Sequence, residues 1–181
     1  MSPKCLISKI KPKEYKKMVN FNITYGTADT RFGKCFMGLN EDNVCFLSFL
    51  EGSYPGLDDL KKTFPKAALT QDDGLVSEKT QNMFDDCSND NVKLLLKGTD
   101  FETKVWEELL NLQKGSTSSY EEIAKAIGNP KAIRAVANAI AKNNISYLVP
   151  CHRVISKKGT LNKYRWGVER KLQMLQHENA M

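Results

Sequence analysis

Apolar residues follow two different rhythms along this chain. In its N-terminal half they come in short runs rich in aromatic and β-branched residues, over 21–25, 32–39 and 44–50, a pattern that suits strands. Asn40-Glu41-Asp42-Asn43 separates the last two runs, so these are expected to pair antiparallel through a hairpin loop. After Tyr54-Pro55-Gly56, the stretch from Leu57 to Phe64 is read as a short helix ended by Pro65. The polar region 70–91, with its Asp-Asp-Gly and Ser-Asn-Asp-Asn clusters, is read as a helix flanked by loops leading to a second domain. The expectation for this half is a small antiparallel sheet plus helix. Cys35 and Cys45 alternate with apolar neighbours and are assigned to its core.

Beyond that region the rhythm changes to a helical one. Thr99-Asp100-Phe101-Glu102 is a capping box, opening an amphipathic helix through Val105, Trp106, Leu109 and Leu110. Ser119-Tyr120-Glu121-Glu122 is a second box, opening a short helix through Ile123, Ala124 and Ile127 that Gly128 stops. Asn129 and Pro130 are read as N-cap and first residue of a third helix, from Lys131 to about Ala141. Two short helices joined by a tight glycine-containing turn form a helix-turn-helix pattern. The second is rich in small residues, Ala132, Ala135, Ala137, Ala139 and Ala141, which lets its backbone approach closely another helix or a nucleic-acid groove. Two domains follow, 1–93 and 94–181, and 181 residues give each enough chain for a core.

Charge sharpens this division. The net charge is +6, yet 125–171 alone holds eleven Lys and Arg against one acid, Glu169, a local net of +10 that leaves −4 for the rest. A basic segment of that density suits a polyanion such as nucleic acid, or serves as a solvated lysine face. Hydrophobic residues at 41% and charged residues at 27% describe a globular chain. No apolar run is long enough for a bilayer and the start, Met1-Ser2-Pro3-Lys4-Cys5-Leu6, has no apolar signal core. The expectation is an intracellular protein without membrane contact, in the nucleus of a eukaryote or the cytoplasm of a prokaryote. The five cysteines are odd in number and show no CxxC spacing, so they read as reduced thiols.

Candidate chemistry gathers at Val149-Pro150-Cys151-His152-Arg153-Val154, where one cysteine adjoins one of the chain's two histidines. An imidazole that takes the thiol proton, helped by positive charge such as Arg153, turns a weak nucleophile into a strong one. Pro150 biases Val149 towards an extended conformation, so an apolar strand over Tyr147, Leu148 and Val149 is expected to deliver Cys151 at its end. The alternative is a buried structural cysteine beside a surface His-Arg pair.

Several landmarks in one register decide between these. Gly128-Asn129-Pro130-Lys131-Ala132-Ile133-Arg134-Ala135-Val136, Asn143 ahead of Pro150-Cys151-His152-Arg153-Val154, Tyr164-Arg165-Trp166-Gly167 and the late His177-Glu178 together resemble the O6-alkylguanine-DNA alkyltransferase family, from Gly98 to Glu178. The resemblance implies a ribonuclease H-like N-terminal domain, a winged-helix-like C-terminal one, and a monomer acting on double-stranded DNA that contains O6-alkylguanine. It implies irreversible, single-turnover transfer of a methyl or small alkyl group to Cys151, with O4 of thymine a second position it admits. His152 would relay the thiol proton, through a water, to Glu178, and Tyr120 would donate to guanine N3 and help turn the phosphate. Arg134 would fill the gap left by the flipped nucleotide, with Ala132 and Ala135 beside it on the DNA-facing helix. Asn143 would be a hinge, and Val154, Tyr164, Arg165 and Trp166 would shape the pocket.

Two features depart from some members. Both histidines belong to the C-terminal motifs, so Cys5 cannot complete a zinc site and no metal or other cofactor is expected. Arg165 and Trp166 also stand where some members have small residues, which should narrow the pocket. A non-catalytic helix-turn-helix or lesion-sensing protein is the alternative function, set apart by the presence of Cys151, His152 and Glu178 together. A cysteine peptidase would need a separated Cys and His and gives no reason for the helix-turn-helix.

Overall fold

In the computed structural model, which describes residues 5–50, 56–84, 91–157, 159–161 and 164–181, the expected hairpin is the middle of a larger sheet. Strands β1 (Cys5–Ile10), β2 (Asn22–Thr30), β3 (Gly33–Asn40), β4 (Asn43–Phe49), β5 (Ala68–Gln71) and β6 (Val92–Lys97) assemble in the order β1-β6-β4-β3-β2-β5. The pairs β2·β3 and β3·β4 are antiparallel, whereas β1·β6, β4·β6 and β2·β5 are parallel. The sheet is therefore mixed, where the hydrophobic pattern had pointed to a small antiparallel one. At the hairpin Asn40 faces Asn43, and Glu41 takes the left-handed conformation, φ 54°, that so tight a turn requires.

Helices α1 (Pro12–Tyr15), α2 (Gly56–Thr63) and α3 (Asp73–Phe84) belong to this first unit. One core cluster joins Tyr15 of α1 and Leu60 of α2 to Phe21, Ile23, Phe36 and Phe46 of the sheet region. The start of α3 lands on β2 at Gly26, where a Cβ would stand 2.9 Å from both the Asp72 carbonyl and the Asp73 Cα, and the Thr27 amide donates to Asp73 Oδ1 at 2.7 Å. Cys35 and Cys45 are buried in the core, and burial pushes their thiols up to about 11 and about 12. Tyr54, Pro55 and most of the Ser-Asn-Asp-Asn cluster lie outside the described residues.

The chain divides into two compact units at Gly98–Thr99. A boundary at 93/94 would cut β6, whose pairing with β1 runs from Val92 to Lys97; those hydrogen bonds keep the strand with the first unit.

The second unit begins with α4 (Asp100–Asn111), whose capping box forms as the residues dictate: Thr99 Oγ1 accepts from the Glu102 amide at 3.2 Å and Glu102 accepts from the Thr99 amide at 2.9 Å. A two-residue strand β7 (Ser118–Ser119) leads into α5 (Tyr120–Ala126), capped in the same way by Ser119 and Glu122. At its end Gly128, φ 77°, donates to Lys125 O and Asn129 donates to Ala124 O, the paired closing bonds of a Schellman turn. Helix α6 (Ile133–Ala141) starts later than its sequence suggested. Asn129 does not cap it; the Asn129 carbonyl accepts from Ala132 N–H in a separate turn through Pro130, and Ala132 holds the N-cap position without a side-chain bond. Trp106 fastens α4 to α6 by donating from Nε1 to Ala139 O at 2.9 Å. A 3-10 turn over Cys151–Arg153, strand β8 (Val154–Ile155), parallel to β7, and helix α7 (Val168–His177) complete the unit. No helix among the described residues is long and apolar enough to cross a membrane.

Candidate active site

Cys151 is held by a loop that one side chain organises. Asn143, 2% exposed, accepts from the Ile145 amide at 2.9 Å through Oδ1, while its Nδ2 donates to Val149 O at 3.0 Å and to Cys151 Sγ at 3.2 Å. Buried backbone groups must find partners, and here an amide side chain supplies them where a neighbouring strand otherwise would. The expected strand over 147–149 is accordingly absent: the chain turns, with Tyr147 at φ 65°, and Pro150 leads into the 3-10 turn that carries the thiol.

Behind the thiol lies a buried ionic cluster. His152 Nε2 stands 3.1 Å from Glu178 Oε1, and Arg153 donates to the same carboxylate through Nε at 2.9 Å and Nη2 at 2.8 Å and to Leu112 O through Nη1 at 2.6 Å. Burial alone would raise Glu178, but the His152 and Arg153 hydrogen bonds and charges outweigh it and hold the carboxyl at about 2. Burial lowers His152 against the pull of Glu178, which favours the neutral ring. An ionised carboxylate only accepts; Nε2 therefore carries the proton and Nδ1, which has no protein partner among the described residues, presents a lone pair. Arg153 serves Glu178, which corrects the expectation that it activates Cys151. For the thiol itself burial raises the pKa, opposed by the Asn143 amide, the Tyr164 hydroxyl and the charge of Lys171.

On its other side Cys151 opens on a cavity of about 330 Å³, lined also by Tyr120 of α5, by Ala137, Ile140 and Ala141 of α6, and by Tyr164, Arg165, Trp166 and Lys171. Trp166 is 3% exposed and packs edge-on against Tyr164, ring centroids 5.3 Å apart, so it faces inward. The Tyr164 hydroxyl is hydrogen-bonded to Ser146 at 3.1 Å and lies 4.0 Å from Sγ. Of the residues singled out from the sequence, Cys151, Tyr120, Tyr164, Arg165 and Trp166 meet at the cavity, His152 and Glu178 stand behind it, and Asn143 and Val154 are buried beneath. Arg134 and Ala135 lie apart on the exposed face of α6, and Ala132 just before it.

Lys171 and Ser146 escaped the sequence reading. For Lys171 a signal existed: with Met174, Leu175 and Glu178 it forms an i, i+3, i+4, i+7 stripe along α7 and its cap, all of it buried. A lysine in the inward register of an amphipathic helix is a charge that must find partners inside the fold. Ser146 gives no such signal.

A buried cysteine beside a cavity, backed by an imidazole that a carboxylate orients, is an arrangement suited to sulfur chemistry. Residues 100–180 match the family model described as 6-O-methylguanine DNA methyltransferase, DNA binding domain. The chain is 35% identical over 163 residues to the bifunctional transcriptional activator/DNA repair enzyme Ada of Escherichia coli, an alignment covering 88% of this chain and 46% of that protein, so it spans about half the relative's length. It is 40% identical over 122 residues to the inducible methylated-DNA–protein-cysteine methyltransferase of Bacillus subtilis, covering 65% of this chain and 68% of that one. In three dimensions it matches Mycobacterium tuberculosis OGT solved in complex with DNA, with a TM-score of 0.70 and 34% identity over 87% of this chain and 93% of that chain. The chain belongs to the O6-methylguanine-DNA methyltransferase family.

Proposed function

We propose that the chain repairs DNA by direct reversal, moving a methyl or small alkyl group from O6 of guanine in double-stranded DNA to Cys151, once per molecule. The observation that carries this reading is Cys151 at the wall of a cavity, with His152 and Glu178 aligned behind it. The thiol proton passes to His152 Nδ1, through a water as the resemblance implies, and Glu178, held by Arg153, stabilises the imidazolium that results. The sulfur then forms a bond to the alkyl carbon while the carbon–O6 bond breaks and leaves its electron pair on the guanine. Tyr120, at the cavity edge, supplies a proton to guanine N3 and makes the base a better leaving group.

A stacked, paired guanine cannot present O6 to a buried sulfur, so the nucleotide must rotate out of the duplex. We read α5, the Gly128 turn and α6 as a helix-turn-helix with β7 and β8 as its wing, and the first unit as a ribonuclease H-like domain. The outward face of α6 joins an exposed Arg134 to the small Ala135, with Ala132 just ahead. Small exposed side chains suit close approach to a minor groove, and Arg134 is assigned the place vacated in the stack.

The reading is tested by Cys151→Ala. Transfer should vanish while affinity for methylated duplex stays within about tenfold, about 1.4 kcal/mol, because a thiol adds little contact surface. Loss of binding in a variant that melts like the natural chain would place the chemistry elsewhere.

A further inference from the structure

Lys171 occupies a position that the packing of α7 otherwise gives to apolar side chains. It is 1% exposed, its Nζ donates to Val154 O at 2.6 Å, and it stands over the Tyr164 ring, 5.9 Å from the centroid. Among the described residues no carboxylate pairs with it; across the cavity that both line stands the Cys151 thiol. A buried cation is costly unless an anion compensates it, and the sulfur is the group in that cavity that can become one.

Arg165, the other cation on this cavity wall, stands over the Trp166 ring, 5.5 Å from its centroid, and the groups behind the sulfur are engaged with Glu178. Arg153 binds Glu178 and the Leu112 carbonyl, and the His152 ring is engaged by Glu178. Asn143 and Tyr164 offer the sulfur hydrogen-bonding groups at 3.2 and 4.0 Å but no net charge. We propose, on the basis of the alkyl-transfer reading above, that Lys171 is the fixed positive charge that stabilises Cys151 as an anion and then faces the negative charge as it moves onto the guanine. In the transfer the sulfur pair becomes the S–C bond and the O6–C pair stays on the base, so charge leaves Sγ and arises on a ring seated in the same cavity. An ammonium group on the cavity wall favours both ends of that movement and keeps its proton throughout. Burial outweighs the opposing pull of Cys151 and lowers Lys171 to about 8, still above neutral pH. Lys171 acts through the sulfur and is a positioning residue.

The ionisation of Cys151 can be measured without DNA, by the pH dependence of its reaction with iodoacetamide, resolved peptide by peptide in a mass spectrometer. Tyr164, Tyr120 and Arg165 also line the cavity, and His152 lies behind, so the comparison changes Lys171 alone. Lys171→Met should raise the midpoint by about one pH unit or more and slow the reaction about tenfold at neutral pH, with rates converging in alkali. Lys171→Arg should restore most of the shift. Lys171→Gln, which keeps a donor for Val154 O and so the packing, should shift like Lys171→Met. An unmoved midpoint in folded Lys171→Gln or Lys171→Met overturns the proposal, as does a loss of rate equal at every pH. A natural chain that shows the Lys171-dependent midpoint yet accepts no methyl from DNA would instead sink the alkyl-transfer reading.

Discussion

If the cavity receives the alkyl group as proposed, a size limit on that group is set by the indole of Trp166. It is buried against Tyr164 on the wall facing Cys151, and a packed wall absorbs extra volume only at a cost of about 1 to 3 kcal/mol. Methyl transfer should be unaffected, whereas free O6-benzylguanine should inactivate the chain slowly and Trp166→Gly about tenfold or more faster. Equal inactivation of the two would show that Trp166 does not set the size limit. Glu178 gives a prediction of a different kind. Its carboxyl falls from an ordinary 4.5 to about 2 on folding, so the unfolded chain binds more protons over that interval. The stability it contributes is complete above about 4.5 and is lost as the pH falls through about 2. Melting temperatures recorded across that window should drop for the natural chain, and Glu178→Gln should flatten the drop; parallel curves would deny the His152–Glu178–Arg153 cluster its electrostatic role.

At the scale of elements, α6 joins the cavity to an exposed basic face. Its inner face gives Ala137, Ile140 and Ala141 to the cavity while Arg134 faces outward. If Arg134 takes the flipped nucleotide's place, Arg134→Ala should slow repair in duplex DNA far more than reaction with the free base, because extrusion costs a few kcal/mol that free base does not spend. Equal slowing of both substrates would remove that role. The capping boxes of α4 and α5 and the Gly128 stop were legible in the sequence because their bonds close within a few residues. Strands β1, β5 and β6 were not, since their parallel partners lie far along the chain and β1 is exposed along most of its length. The 147–149 loop misled for a related reason: an apolar triplet before proline reads as a strand, and only the structure shows Asn143 taking the partner's place.

Across the whole molecule, the site is confined to the second unit, where α5, α6, the Cys151 turn and α7 converge on one cavity. The residues gathered there were legible where a motif carried them, as with the juxtaposition of Cys151, His152 and Glu178. Lys171 was hidden because its meaning depends on which face of α7 turns inward. The site also predicts its own exhaustion. A thioether is not reversed by thiol exchange, and burial pushes the core cysteines Cys35 and Cys45 far above the range in which they could act as thiolates. The central claim is therefore tested most directly by titrating the chain with duplex DNA bearing one O6-methylguanine, then reading intact mass and the modified peptide. The account predicts one added methyl group per molecule at saturation, on Cys151, with no further demethylation of excess DNA. Several methyl groups removed per molecule, or a methyl group on any other residue, would contradict it.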